Sequence, residues 1–372
     1  MEQLTRRQIL VSGGALLSAG AVPGFGLMQR AWASDIPRPD HVIRAGTNEN
    51  PWGPSRVALK AIMNSIDYSS QYGGRDVYAA FGRLLSEQNR ISPEHLAMGT
   101  GSGEILKMAG MLASMEKGSV VCADPTYQDL VRYAGRAGAE IIRVPVDEQL
   151  SINLEAMASA IRRDTRLVYL VNPNNPIPAI IEKNAIKDFV LEVSKDRMVF
   201  VDEAYFEYVE DPNYGSMLDL VREGYDNIIV TRTASKIHGL AGLRVGFGYA
   251  HPDLIREIEN RKTGQINALG LRAAYASYQD QEFQDFTLRK NKESLAIVEG
   301  MFEELGLRYV KSNANFCFFE NNREVQEYNA VMLQHGIMSG RPFPPMTSWS
   351  RISMAKPDEM RYFVQTYKKL FA

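Results

Sequence analysis

Lys236 and Arg244 stand eight residues apart in "SKIHGLAGLRVGFG", a stretch otherwise small and apolar apart from Ser235 and His238. An amine among apolar neighbours is a candidate nucleophile, and a guanidinium clamps an anion with two parallel hydrogen bonds. A turn between buried strands, with both charged heads reaching water, would read the same way. Asp202 and Glu203 end the apolar run "MVFVDEA", followed by Tyr205. A carboxylate emerging from buried β structure is costly unless something pairs with it. Asn175 lies inside "NPNNPIP", where two Asn-Pro steps bend the chain sharply. Tyr127, in "DPTYQDL", offers a flat ring for stacking. Ser102 and Gly103, in "GTGSGEIL", sit where a helix begins, and its free amides suit a phosphate. Taken singly, these are also what a tight turn, a half-buried aromatic or a proline-rich bend would give. One ligand answers all of them: a flat phosphorylated ring with a nitrogen that wants an acid and a carbonyl that wants an amine. That ligand is pyridoxal 5′-phosphate.

The elements that would position these residues are short apolar runs rich in Val and Ile. They fall at 95–100, 119–124, 140–146, 166–172, 198–204, 227–233 and 244–250, with helix-period segments between most of them. Strands apolar on both faces and alternating with helices predict an α/β fold with a mainly parallel sheet. Ligands of such sheets bind beyond the carboxyl ends of the strands, where the residues above occur. From His251 the pattern changes. Two long helices are expected over 251–280 and 281–306, then short strands in "RYVKS", "NFCFFE" and "SRISM" with helices at 324–335 and 357–370: a smaller α+β domain. The expected organisation is an arm at 34–55, a large domain at 56–280 and a small domain at 281–372, with the arm reaching the small domain.

The 372 residues are 45% hydrophobic with a formal net charge of -2, a composition suited to a globular chain. No long basic run points to nucleic acid. Cys122 and Cys317 lie in apolar runs as buried thiols, and the five histidines show no metal-ligand spacing. The N-terminus reads differently. Arg6 and Arg7 precede a short, weakly apolar stretch and "AWA" at 31–33, the pattern of a twin-arginine export signal at 1–33 cleaved after Ala33. The stretch is too short and too weakly apolar for a stable membrane span, so an exported, periplasmic enzyme is expected, or a cytoplasmic one should the signal not function.

The motifs "NENPWGPS", "GTGSGEIL", "DPTYQDL", "NPNNP", "VDEAY", "SKIHGLAGLRVGF", "SNANF" and "RISMAKPDEM" occur in the order found in fold-type-I pyridoxal-phosphate-dependent aminotransferases of class I/II. Within them the chain most resembles the histidinol-phosphate aminotransferase family. The resemblance implies that Lys236 bonds the cofactor's aldehyde and that Asp202 faces the ring nitrogen. It implies Asn175 and Tyr205 at the ring's 3-oxygen, Tyr127 stacked on the ring, and Ser102, Gly103, Ser235 and Arg244 at the phosphate. Tyr72 matches the tyrosine that reaches the phosphate in a neighbouring subunit, which implies a homodimer with shared sites. Arg351 matches the arginine that grips the substrate carboxylate, and Asn48 belongs to the segment that closes over the substrate. The implied reaction passes an amino group from an amino donor, histidinol-phosphate-like or aromatic, to a 2-oxo acid. Two positions depart from the family pattern: Ile177-Pro178 replaces a common Thr-Gly, and His238 replaces an aromatic. His238 either touches the cofactor's surroundings or is a packed imidazole. A decarboxylase on the same scaffold would keep the same Asp, Lys and Arg, and an exported binding protein is the reading outside enzymes.

Overall fold

The computed structural model describes residues 40–71 and 74–372. The expected signal at 1–33 and Tyr72 lie outside the described residues. A two-residue strand β1 (Ile43–Arg44) is followed by helices α1 (Arg56–Met63) and α2 (Arg75–Asn89). The central sheet then takes β2 (Leu96–Thr100), β3 (Ser119–Asp124), β4 (Glu140–Pro145), β5 (Thr165–Val171), β6 (Met198–Asp202), β7 (Ile228–Thr233) and β8 (Val245–Ala250). Their order is β2-β8-β7-β6-β5-β3-β4, and every pairing is parallel except those of β8, which is antiparallel to both its neighbours. Every residue of β7 and β8 is buried, which is why these strands read as continuous apolar runs rather than alternating ones. Val168, Val199, Val201 and Phe247 pack on one face; Val120, Leu167, Phe200 and Ile229 pack on the other. This architecture, a mainly parallel sheet with one antiparallel strand inside it, is the one that the resemblance to fold type I implies.

The remainder builds a second layer. Antiparallel strands β9 (Tyr309–Val310), β10 (Phe316–Glu320) and β12 (Trp349–Ser353) form a three-stranded sheet in the order β12-β10-β9. A 24-residue helix, Gln281–Glu304, and the helix Pro357–Phe371 cover it, burying Phe302, Phe319, Tyr328 and Tyr367 together. The N-terminal arm joins this layer, with Ile43 opposite Ile337 in a parallel pairing of β1 with β11 (Ile337–Met338). The expected single helix over 251–280 is corrected to two, Pro252–Glu259 and Ala268–Ser277. The physical cause is local. The Asn267 side chain accepts from the amides of Leu269 and Gly270 and so starts a new helix, while the Thr263 amide leaves the helical pattern to donate to Glu104 Oε1 at 3.3 Å.

Candidate active site

A cavity of about 460 Å³ opens at the carboxyl ends of β5, β6 and β7. Its lining includes Asn48, Ser102, Gly103, Tyr127, Asn175, Asp202, Tyr205, Ser235, Lys236, Arg244 and Arg351. Every expected site residue that is described is therefore brought together, from positions more than 300 residues apart in the chain.

Asp202 is the last residue of β6, paired in register with Val171 and Thr231. It is 2% exposed, and its Oδ1 accepts from the Ala204 amide at 3.1 Å and from Thr231 Oγ1 at 3.3 Å. Burial pushes its pKa up to about 7; the two hydrogen bonds and the Lys236 charge pull the other way. Tyr205 is positioned three residues on, its hydroxyl accepting from Asn48 Nδ2 at 2.9 Å and Asn175 Nδ2 at 3.2 Å. Asn175 is held from its other end, with Oδ1 accepting from Arg351 Nη1 at 2.6 Å. Arg351 also donates from Nη2 to Gly46 O at 2.6 Å, and its buried Nε has no partner among the described residues. Burial depresses this guanidinium to about 10. Lys236 Nζ donates to Asn48 O at 3.3 Å and lies 5.3 Å from the centre of the Tyr205 ring.

The glycines explain the anion end. Gly101, at φ 79°, precedes the helix Ser102–Ala113, and a Cβ there would collide with the Arg244 guanidinium. Gly246, on β8, lies directly beneath the Gly101–Ser102 peptide, and a Cβ on it would overlap the Ser102 amide nitrogen. Backbone amides thus stand at the cavity edge beside an arginine that pairs with no carboxylate among the described residues, the chemistry of a phosphate seat. Tyr127 donates to Asp129 Oδ2 at 2.9 Å, which fixes its ring at the wall.

The substituted positions resolve as packing. Ile177 is fully buried with Phe318, Phe343 and Trp349, so the loop bearing Asn175 is seated on the three-stranded sheet. His238 is not among the cavity residues. It stacks on Tyr278 with centroids 3.8 Å apart, and its Nδ1 lies 2.9 Å from Ser277 Oγ. Burial pushes the imidazole down to about 3. Residues that motif reading passes over also line the cavity: Met338, the last residue of β11, and Ser339 and Arg341 just after it. Arg341 stacks on Phe343 at 4.3 Å and pairs with no carboxylate among the described residues.

The model of the class I and II aminotransferases matches residues 40–366. The chain belongs to the class I and II aminotransferases. A histidinol-phosphate aminotransferase of Moorella thermoacetica is 37% identical over 298 residues, covering 80% of this chain and 77% of that one. One from Brevibacillus brevis is 36% identical over 299 residues, 80% of this chain and 81% of its own. The crystal structure of the Sinorhizobium meliloti histidinol-phosphate aminotransferase in complex with pyridoxal-5′-phosphate superposes with a TM-score of 0.80 at 23% identity, covering 99% of each chain. Pyridoxal phosphate is the cofactor of this aminotransferase, and the cavity fits it. A buried acid, a lysine, an aromatic wall and an amide-and-arginine seat surround one space, and the seat exists only because Gly101 and Gly246 lack side chains.

Proposed function

We propose that this aminotransferase moves the amino group of a donor of the histidinol-phosphate type, in which a phosphate ester stands where an amino acid has its carboxylate, to a 2-oxo acid. We further propose that the cavity residues divide the work by position. Ser102 and Gly103, through their amides, with Ser235 and Arg244, hold the cofactor phosphate, while Tyr127 stacks on its ring. Asp202 presents a buried carboxylate to the ring nitrogen, and Asn175 and Tyr205 hydrogen-bond the ring's 3-oxygen. When bound, pyridoxal phosphate supplies a carbonyl for the amino group and a ring that accepts the electrons of the broken Cα–H bond. Lys236 Nζ is the basic nitrogen that takes and returns that proton. Arg351 takes the carboxylate of the 2-oxo acid and, in the same place, the phosphate of the donor, its buried Nε being a donor without a partner among the described residues. Asn48 closes the cavity from the arm.

The observation that carries this reading is the convergence of Lys236, Asp202, Asn175, Tyr205 and Arg351 on one cavity. The phosphate ester of the donor is supported by the names of the relatives and by Arg341, a cation at the cavity that pairs with no carboxylate among the described residues. The test has two parts. Borohydride should fix the cofactor onto Lys236, and a donor panel should give a keto product with histidinol phosphate favoured over neutral aromatic amines. Release of CO₂ in place of a keto product would overturn it. Tyr72 is assigned to the partner subunit's cofactor phosphate by motif resemblance, in a homodimer. Mixing inactive Lys236→Ala and Tyr72→Ala subunits should then restore activity, and a fully active monomer refutes it. Export is read from Arg6, Arg7 and 31–33; a wild-type enzyme found only in the cytoplasm with Met1 attached refutes that.

A further inference from the structure

Behind Asp202, on the face of the sheet away from the cavity, lies a buried ion pair that the cavity does not use. Glu203 and Arg232 are 1% and 8% exposed at their side chains. Arg232 donates to Glu203 Oε2 from Nη2 at 3.0 Å and from Nε at 3.2 Å, to Asn89 Oδ1 at 2.8 Å and to Ser216 Oγ at 3.0 Å. Glu203 also accepts from Ser216 Oγ and from the Met217 amide at 2.8 Å. The guanidinium lies 3.6 Å above the ring of Phe206, in the turn that follows Tyr205. Every polar atom of the pair is engaged, yet burying two charges costs about as much as their attraction returns, and apolar side chains of the same shape would hold two strands as well. The location is what distinguishes it. Asp202 and Glu203 are consecutive, and so are their partners Thr231 and Arg232 on the neighbouring strand. Asp202 is the one fully buried acid among the described residues lining the cavity.

We propose that Arg232 and Glu203 form a positioning pair for the cavity wall, locking the turn that carries Asp202 and Tyr205 and balancing the charge one residue from the Asp202 carboxylate. Glu203 alone disfavours a second negative charge beside it; the guanidinium seated on Glu203 offsets that by Coulomb attraction. The other titratable groups acting on or beside Asp202 include Lys236, Tyr127 and Tyr169 and, near the pair, Tyr214, Tyr249 and Tyr278. Glu207 is also near Arg232 and is pushed up to about 8, by burial first, so it adds little negative charge at neutral pH. The use of this charge balance by a ring nitrogen rests on the cofactor reading above; the charge balance itself does not.

The test titrates the Asp202 carboxyl in the purified full chain by infrared difference spectroscopy, with Asp202→Asn identifying its band. Glu203→Gln should move the midpoint down and Arg232→Met should move it up, the two differing by about one pH unit or more. The double variant should return toward wild type. Arg232→Lys, which keeps the charge and loses the fork, should titrate like wild type while melting lower. Equal midpoints in Glu203→Gln and Arg232→Met, or shifts in the same direction, overturn the proposal, even where both variants lose thermal stability. Glu203→Gln is nearly isosteric, so this arm survives if Arg232→Met fails to fold, and an unmoved midpoint there is decisive against it. A wild-type protein that binds no pyridoxal phosphate refutes the cofactor reading and leaves this titration unaffected.

Discussion

The two sides of the cavity are built by different means. The wall comes from strand ends: Asp202 on β6, Asn175 shortly after β5, and Ser235 and Lys236 just past β7. Its positions are set by the backbone ladder, in which Val171, Asp202 and Thr231 are in register. The roof comes mostly from irregular chain, Gly46–Glu49 of the arm and Ser339 and Arg341 after β11, with Met338 at the end of β11 and Arg351 from β12. It meets the wall through side-chain hydrogen bonds, Asn48 to Tyr205 and Arg351 to Asn175. A ladder fixes atoms whose chemistry tolerates no displacement; a roof held by a few side chains can vary with the substrate. The comparison therefore assigns the reaction to the wall and the choice of substrate to the roof.

Lys236→Ala is the strongest test of that division. It should lower turnover by about 10³-fold or more, because no other lysine among the described residues lines the cavity to move the proton. Near-normal turnover, measured with any donor, would detach the chemistry from the wall. Asp202→Asn comes next, with turnover falling about 10²-fold while pyridoxal phosphate remains bound, read by absorbance and equilibrium dialysis. Arg351→Met should act chiefly on the roof, with the loss of its hydrogen bond to the wall's Asn175 as the lesser part. Its effect should appear chiefly in KM, at about ten- to a hundredfold in kcat/KM, equivalent to about 1.4 to 2.8 kcal/mol. A loss confined to kcat would erase the distinction between the two sides. The smallest effect belongs to His238, which faces neither. His238→Phe should leave kinetics near wild type and change the pH dependence of melting. The native imidazole is depressed to about 3 from an ordinary value of 6.5, so the unfolded chain binds the extra proton first as pH falls. Wild type should therefore keep its full stability above about pH 6.5 and lose it progressively toward pH 3, while the variant is spared that part of the loss. Parallel melting profiles would show that the ring is not buried neutral.

The same division decides which site residues are legible in the chain's own pattern. Asp202 and Lys236 follow apolar runs whose length and β-branched content announce buried parallel strands, so their exits mark the site. Arg341 carries no such signal. It follows a two-residue strand placed by Ile43 opposite Ile337, a pairing too short for any periodicity, and it lies in "SGRPFPP", which reads as loop. Arg351 is visible only through its resemblance to a family motif, since an arginine inside "SRISM" has no local reason to be buried at 8% exposure. The break between Glu259 and Ala268 is legible in principle: "NRKTGQIN" at 260–267 holds a single apolar residue, Ile266, and Gly264 with the capping Asn267 marks the interruption.

Gly246 has a consequence for anyone who would re-engineer this enzyme. It contributes no side chain, touches no substrate and does not line the cavity, yet its missing Cβ is the space that the Ser102 amide occupies. In a saturation library selected for activity on any donor, position 246 should tolerate as little variation as Lys236, while exposed roof positions such as Arg341 accept many residues. A ranking of importance by tolerance alone would list Gly246 among the reactive groups. What such a ranking would record there is crowding between two backbones, so variant libraries meant to widen substrate range belong on the roof.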